Sequence, residues 1–363
     1  MGTGWQVNYF KVETSTSSAN TDSLYANGRM QIPVTVSIKA VETGTTTRYT
    51  LTDSDLNTIE LVYYDDTSST LSNGWSYTDQ KDDTFAHTVS GQSASSTAAK
   101  HPLHLHYTAA AEVKAQSDDS PQTKTYWVTT TKVENQKVAA RIEQSDGTTV
   151  TTHSSKYDSH VTLTGLTTIA YTTDNVQINR EDTANGTYKI QTKTSDPWGS
   201  GGIDHGSSSY WVDSTMNWNQ HNYYVSSNGF KFVKADIHDD DSTGYADGHP
   251  GDARLKNSFA YHATDSSLKM CFIWEFGAED TKTAGVYGDD GDQHAYAYQD
   301  IKVNQKSNAL CLTHLAFDTP FKIGGDWSDS ECGFTIYDTY GNSGKFGAAC
   351  SSDHDGIDIT NAN

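Results

Sequence analysis

The sequence is poor in hydrophobic residues and in the residue types that favour helices. Only 34% of its 363 residues are hydrophobic, and it contains just 4 Met. A small apolar fraction suits sandwiches, in which each strand buries one face and leaves the other in water. Thr and the 21 Tyr favour strands, while Asp, Asn, Ser and the 28 Gly favour turns. The composition therefore predicts an all-β protein with thin cores.

Basic residues are also few. The chain has 25 Lys and Arg against 46 Asp and Glu, which gives a formal net charge of −21. Such a surface repels nucleic-acid phosphates and anionic lipid head groups, whereas divalent cations, cationic partners and neutral glycans remain open as ligands. No apolar run approaches the ~20 residues of a membrane-spanning helix. We therefore expect no nucleic-acid partner and no membrane span.

The familiar catalytic motifs are missing. The sequence has no Gly-x-Ser-x-Gly elbow, no His-Glu-x-x-His pair, no phosphate-binding P-loop and no Gly-x-Gly-x-x-Gly after a strand. Glu275 and Glu279, which lie beside aromatic residues, are the best candidates for the paired carboxylates of a glycosidase. We favour the interpretation that each glutamate is an ordinary carboxylate at a strand end. The sequence therefore favours a protein without catalysis.

Four cysteines occur, and none forms a Cys-x-x-Cys pair, which argues against a zinc knuckle. The spacing favours a disulfide between Cys332 and Cys350, which flank a predicted hairpin. Cys271 and Cys311 lie in apolar runs, where they either pair across strands or remain reduced core residues.

The clearest predicted strand runs from Met30 to Ala40, where apolar and polar residues alternate strictly. Pro33 cannot donate to a ladder, so the strand is expected at a sheet edge or a bulge. Thr35 and Ser37 are expected to face outward. The residues predicted to be buried together are Ile32, Val34, Val36 and Ile38.

Turn signals and composition divide the chain into modules. Two-residue hairpin turns are predicted by Asn-Gly pairs at positions 27, 73, 185 and 228. Small polar stretches at residues 88–100 and 195–209 are typical of linkers or long loops. We therefore predict two or three antiparallel β-sandwich modules, Ig-like or jelly-roll-like, at residues 1–90, 101–195 and 208–363, the last containing every cysteine.

Two stretches carry a family resemblance. The first is Arg29-Met-Gln-Ile-Pro-Val-Thr-Val-Ser-Ile-Lys-Ala-Val, followed after a turn by Thr-Ile-Glu-Leu-Val. The second is Phe334-Thr-Ile-Tyr-Asp-Thr-Tyr-Gly-Asn-Ser-Gly-Lys-Phe. Both resemble strands and turns of bacterial Ig-like modules of the invasin and intimin kind. The resemblance implies a surface, adhesive or spacer role without a catalytic site.

An acidic stretch has the D-x-D-x-T-G opening of a calcium loop. Pro250 replaces the glutamate that closes an EF-hand, so the prediction is a calcium loop in a sheet connection, with a solvated acidic turn as the alternative. The predicted ligands are Asp239, Asp241, Thr243 and Asp247.

Histidines and aromatic residues give two further candidate sites. His104 and His106 share one face of a strand near His101, a spacing compatible with metal binding, although the wet face of an ordinary strand is favoured. Rings interleaved with amides can stack on sugars or anchor a protein partner. The predicted ligand-binding residues are Trp211, Trp218, Tyr223 and Tyr224.

Three functions follow from these features. The first is a non-catalytic extracellular or cell-surface protein that binds a surface glycan or protein, or assembles with copies of itself. The second is a jelly-roll carbohydrate-binding protein or glycoside-active enzyme. The third is a bacterial receptor-binding toxin. No signal peptide is visible, so the export route stays open.

Overall fold

The computed structural model describes residues 4–89, 120–196, 208–238, 258–290, 293–323 and 327–362. Strands make up 59% of the protein and helix 1%, which confirms the all-β prediction with several antiparallel sheets. No described helix is long and apolar enough to cross a membrane. The chain divides into two compact units, unit 1 (residues 1–169 with 340–342) and unit 2 (residues 170–339 with 343–363).

The described residues of unit 1 form ten strands and one short helix. They are β1 (Trp5–Thr14), β2 (Thr21–Tyr25), β3 (Ile32–Glu42), β4 (Arg48–Tyr49), α1 (Asp53–Leu56), β5 (Glu60–Tyr63), β6 (Trp75–Thr78), β7 (Gln122–Thr130), β8 (Asn135–Glu143), β9 (Thr149–Thr151) and β10 (Val161–Leu166). The helix begins at a capping box, in which Thr52 and Asp55 satisfy each other's backbone N–H groups.

These strands form two sheets. One has the order β1-β3-β7-β6, with β4 paired to β3, and the other has the order β2-β10-β8-β5, with β9 paired to β8. All pairs are antiparallel except β2 with β10, which is parallel. The apolar faces of both sheets are buried, as Val36 in one sheet and Leu163 in the other illustrate. Unit 1 thus has the layered core expected of a sandwich.

Strand β3 has the predicted buried face, but not the predicted position. Its residues Ile32, Val34, Val36 and Ile38 are completely buried. The expectation of an edge strand is wrong, because β3 lies between β1 and β7. Pro33 is tolerated because the ladder between β1 and β3 extends only from Glu42 to Val34, where Val34 pairs with Thr14, and so does not reach Pro33. Ser37 is buried as well, since Lys11 and Thr123 flank it on the neighbouring strands.

The strands on either side of residue 90 share the two sheets of unit 1. Strand β7 pairs with both β3 and β6, and β8 pairs with β5. Local composition predicts a module boundary between residues 90 and 101. The structure joins both sides because sheet pairing depends on registers between segments far apart in the chain, which local composition does not reveal.

Twelve strands lie in the part of unit 2 that the structure describes. They are β11 (Gln177–Asp196), β12 (Ser208–Ser226), β13 (Phe232–Ile237), β14 (Ser258–Thr264), β15 (Ser267–Ile273), β16 (Asp280–Asp290), β17 (Gln293–Val303), β18 (Leu310–Asp318), β19 (Trp327–Asp329), β20 (Cys332–Asp338), β21 (Ser343–Cys350) and β22 (Ile357–Asn361). An eight-stranded sheet has the order β16-β17-β11-β12-β18-β15-β14-β19, and a four-stranded sheet has the order β13-β20-β21-β22.

The eight-stranded sheet buries one face in a single apolar core. Residues from β11, β12, β15, β16, β17 and β18 contribute to this core. The amide groups of Gln220 and Asn222 on β12 both donate to the carbonyl oxygen of Lys302 on β17, although β11 separates the two strands in the sheet. These bonds show that the sheet bends, so that its two halves cover each other.

Side chains on the opposite face of this sheet, the outer face, lie in rows across neighbouring strands. Cys271 on β15 is opposite His314 on β18, which is opposite His221 on β12, which is opposite Asp182 on β11. The hairpin of β21 and β22 contributes to the cover of this face, since Cys271 Sγ lies 3.9 Å from the carbonyl oxygen of Gly356. These rows bring side chains from several strands together on the outer face.

All four cysteines are free thiols. Cys271 and Cys311 cannot pair, because the ladder of β15 with β18 sets them three positions out of register and therefore on opposite faces of the sheet. Cys332 is opposite Ala348 rather than Cys350. The two disulfides that the spacing suggested are therefore absent from this structure.

Candidate functional site

An aromatic patch lies on the outer face of unit 2. Its members are Trp211, Tyr287, Tyr296 and Tyr298, which come from β12, β16 and β17. The rings of Trp211 and Tyr296 meet edge to face, with centroids 5.2 Å apart and planes at 83°. Trp211 is 48% exposed and Tyr298 is 42% exposed. This is the most open concentration of large rings among the described residues of unit 2.

The strand registers explain why these rings share one face. Tyr287 is directly opposite Tyr296, and Tyr296 is opposite Gln191. Tyr298 is opposite Gly285, which has no side chain to cover the ring. Because alternate residues of a strand point to the same face, Tyr296 and Tyr298 both point outward while Ala295 and Ala297 enter the core.

Polar groups accompany the rings. The Tyr296 hydroxyl donates to the side-chain oxygen of Gln191. The Gln191 amide in turn donates to a carboxylate oxygen of Asp213, at 2.9 Å. A hydroxyl, an amide and a carboxylate thus form a hydrogen-bonded line across three strands, beside the ring of Trp211. Flat apolar surfaces next to such a line can stack on a ligand and hydrogen-bond to it at the same time.

The four aromatic residues that the sequence singled out do not form one surface. Trp211 is exposed, whereas Trp218, Tyr223 and Tyr224 are 7%, 7% and 1% exposed. Trp218 packs parallel to Phe317 in the core, and Tyr224 belongs to the same core. Gln191 and Asp213 carry no signal in the sequence, because their proximity to the rings depends on the pairing of β11 with β17 and β12.

A second cluster of chemically reactive side chains lies on the outer face, beneath the turn at 351–356. His314 is buried, and its Nε2 donates to the carbonyl oxygen of His354, 3.0 Å away. The rings of His262 and His354 stack with centroids 4.2 Å apart. Cys350 Sγ lies 3.8 Å from Nδ1 of His354. We call Cys271, Cys350, His262, His314 and His354 the cysteine–histidine cluster.

Burial sets the protonation of this cluster. It lowers the pKa of His314 to about 4 and also lowers the pKa of His262, on which His354 acts in the same direction. The pKa of Cys350 is lowered to about 7, first by its hydrogen bond with the Cys271 thiol and then by its contact with His354. The pKa of the fully buried Cys271 is raised well above its ordinary value by the same partner and by burial. At neutral pH His262 and His314 are therefore uncharged, while Cys350 is partly a thiolate.

The predicted metal sites fall outside the described residues. This holds for Asp239, Asp241, Thr243 and Asp247 and for the histidines 101, 104 and 106. In the part of the chain that the structure describes, no group of three or more His, Cys, Asp or Glu side chains is arranged to hold a metal ion. Calcium binding by the 239–247 stretch therefore stays a prediction.

The candidate glycosidase acids Glu275 and Glu279 are both exposed. Glu275 lies at the rim of an open cavity of about 410 Å³ with Lys234, Asp236 and Phe276. A glycosidase acid is enclosed by apolar groups, whereas these carboxylates face open solvent. The arrangement supports the interpretation of both residues as ordinary surface carboxylates.

Comparisons with known proteins add little to this description. No protein-family model matches the chain, and no curated protein matches it. One solved structure to which it is similar is the Streptococcus agalactiae AgI/II polypeptide BspA C terminal domain, with 9% identity, 97% of this chain and 100% of that chain covered, and a TM-score of 0.18. A likeness at that TM-score carries no argument about fold or function. The resemblance of two stretches to invasin-type modules stays a prediction.

Proposed function

We propose that this protein is a non-catalytic binding protein that attaches to a carbohydrate-bearing surface through the aromatic patch of unit 2. The observation that carries the proposal is the exposed edge-to-face pair of Trp211 with Tyr296, flanked by Gln191 and Asp213. The proposal places the protein outside the cell or at its surface, in line with the adhesin-like role that the sequence favours.

The chemistry of the patch fits a neutral sugar. A sugar ring has an apolar C–H face that stacks on an aromatic ring and hydroxyl groups that exchange hydrogen bonds with amides and carboxylates. The net charge of −21 disfavours anionic ligands such as phosphates. The patch is open rather than a deep cleft, which suits the attachment of a chain or surface glycan more than enclosure of a small substrate.

Self-assembly through a sheet edge is less well supported. Strand β16 lies at one edge of the eight-stranded sheet as described and is eleven residues long. It carries the charged residues Asp280 and Lys282 near one end. Charged side chains on an edge strand oppose its pairing with another chain. We therefore favour a ligand on the aromatic patch over a second copy on this edge.

The test is binding of the full chain to an array of neutral oligosaccharides, followed by titration with the best ligand. Trp211→Ala should weaken binding about tenfold, the effect of losing one stacked ring worth about 1.5 kcal/mol. Tyr210→Ala is the matched control, because Tyr210 is 53% exposed and adjacent in sequence but points to the other face of β12. The Tyr210→Ala variant should bind the oligosaccharide with wild-type affinity.

Two results would contradict the proposal. One is the absence of binding to every neutral glycan, and the other is equal weakening by the two substitutions. Light scattering that rises with protein concentration and is abolished by Trp211→Ala would assign the patch to self-association instead.

A further inference from the structure

We propose that Cys271 and Cys350 are a redox-active thiol pair that forms a reversible disulfide within unit 2. The cross-link would join β15 of the eight-stranded sheet to β21 of the four-stranded sheet. It differs from both pairings that the spacing of the cysteines suggested, and it is independent of the carbohydrate-binding proposal.

The two thiols already contact each other. Cys271 lies on the outer face of β15, and Cys350 is the last residue of β21, just before the turn at 351–356. Their side chains are hydrogen-bonded to one another. Cys271 also lies 3.9 Å from the Gly356 carbonyl oxygen, so the turn surrounds the pair. Because a disulfide brings two sulfur atoms about 2 Å apart, bond formation requires the two sulfur atoms to approach each other beneath this turn.

The two thiols differ in the way that an attacking and a resolving cysteine differ. Cys350 is partly exposed, and its Sγ lies 3.8 Å from Nδ1 of the half-buried His354. Its lowered pKa gives a substantial thiolate fraction at neutral pH. Cys271 is fully buried and stays protonated until its partner has reacted. Cys350 is therefore the nucleophile and Cys271 the resolving thiol.

The reaction needs an external oxidant, and a small disulfide such as oxidised glutathione supplies one. The Cys350 thiolate attacks one sulfur of the oxidant, which forms a mixed disulfide and releases one glutathione thiolate. Cys271 attacks the Cys350 sulfur and its proton passes to the leaving glutathione sulfur, so that the internal disulfide forms and the second glutathione is released as a thiol. Two protein thiols are oxidised, and one small disulfide is reduced to two thiols.

The remaining cysteines are placed to stay out of this chemistry. Cys311 and Cys332 are completely buried. Cys311 lies in the core on the opposite face of the sheet, where burial raises the pKa of its thiol to about 11. A buried, protonated thiol reacts slowly with disulfides. The structure thus assigns the redox chemistry to one pair out of four cysteines.

The experiment equilibrates the full folded chain with defined ratios of reduced and oxidised glutathione at pH 7. Non-reducing peptide mapping by mass spectrometry then locates every disulfide. The expected product is a Cys271–Cys350 disulfide, with Cys311 and Cys332 still reduced. The rate should fall about fivefold at pH 6, because the thiolate fraction of a group with a pKa of about 7 falls by that factor.

Two variants make the test specific. Cys271→Ser removes the resolving thiol, so Cys350 should accumulate a stable mixed disulfide with glutathione. Cys332→Ser is the matched control and should give the wild-type product. If Cys271→Ser fails to fold by circular dichroism, Cys271→Ala serves in its place. Wild-type protein that keeps Cys271 and Cys350 reduced under oxidising ratios, or that retains glutathione on Cys350, would overturn the proposal.

Discussion

Replacing Asp22 by Asn should stabilise unit 1 at neutral pH and remove part of its pH dependence. Asp22 lies on β2 and is only 2% exposed. One carboxylate oxygen accepts the backbone N–H of Ser23 at 2.8 Å, and the other has no hydrogen-bond partner. Burial raises the pKa of this carboxyl group to about 6. The folded protein therefore carries a charge that its surroundings do not favour.

The magnitude follows from the shift in pKa. Each unit corresponds to about 1.4 kcal/mol, so a rise from 3.8 to about 6 corresponds to about 3 kcal/mol. Because the folded pKa is raised, the stabilising contribution of the protonated acid is complete below about pH 4 and is lost as the pH rises through 6. Asn keeps the acceptor for Ser23 and carries no charge. At pH 4 the variant and the wild type should therefore be nearly equal in stability.

The assay is urea unfolding of the full chain at pH values from 4 to 8, read by hydrogen–deuterium exchange of peptides from β2 and β10. At pH 8 the free energy of unfolding of Asp22→Asn should exceed the wild-type value by about 3 kcal/mol. At pH 4 the two values should be nearly equal. Asp65→Asn, at an exposed position in the same unit, is the control and should show no such change. If Asp22→Asn and wild type have parallel pH profiles, the argument from burial is refuted.

Three further predictions concern other sites. Val36→Asp places an uncompensated charge in the completely buried face of β3, so it should cost more than about 4 kcal/mol and unfold unit 1; an unchanged thermal midpoint would show that this face is not the core. The pKa of buried His314 is lowered to about 4, so its contribution to stability is present above pH 6.5 and lost as the pH falls through 4. Between pH 7 and pH 4, wild-type unit 2 should therefore lose about 3 kcal/mol more than His314→Gln in urea titrations, and equal losses would contradict this. Millimolar calcium should raise the thermal midpoint relative to chelator through the acidic stretch 239–247, an effect that Asp241→Asn should reduce; identical melting curves would identify the stretch as a solvated turn.

Local features of the sequence were sufficient to predict the fold class and part of the core. Alternation from Met30 to Ala40 predicted the buried set of β3, because the side chains of any strand alternate between two faces whatever its partners are. The scarcity of basic residues disfavoured phosphate-rich partners for an equally local reason, since net charge depends on composition alone. These properties require no knowledge of which strands meet.

Strand pairing was decided by the tertiary structure. Trp211 and Trp218 have similar surroundings in the sequence, but they lie an odd number of positions apart on β12 and so point to opposite faces of the sheet. Which face is covered depends on the bend of the eight-stranded sheet, and that bend buries Trp218 and leaves Trp211 open. Gln191 and Asp213 lie beside the aromatic patch because β11 and β12 pair in one particular register.

The same physical reason applies to the cysteines and to the closest backbone approaches. Spacing favoured Cys332 with Cys350, whereas the packing of two sheets brings Cys350 to Cys271. At Gly165, a Cβ atom would collide with the carbonyl oxygen of Lys132, so only glycine fits there. Neither relation leaves a trace in local sequence, because each depends on where distant segments of the backbone come to lie. The sequence by itself determined the charge, the alternation of β3 and the turns at Gly28 and Gly74, where φ is positive. The predicted turn at Asn185-Gly186 is wrong, because both residues pair with β12 inside β11, and the tertiary structure decided which side chains meet.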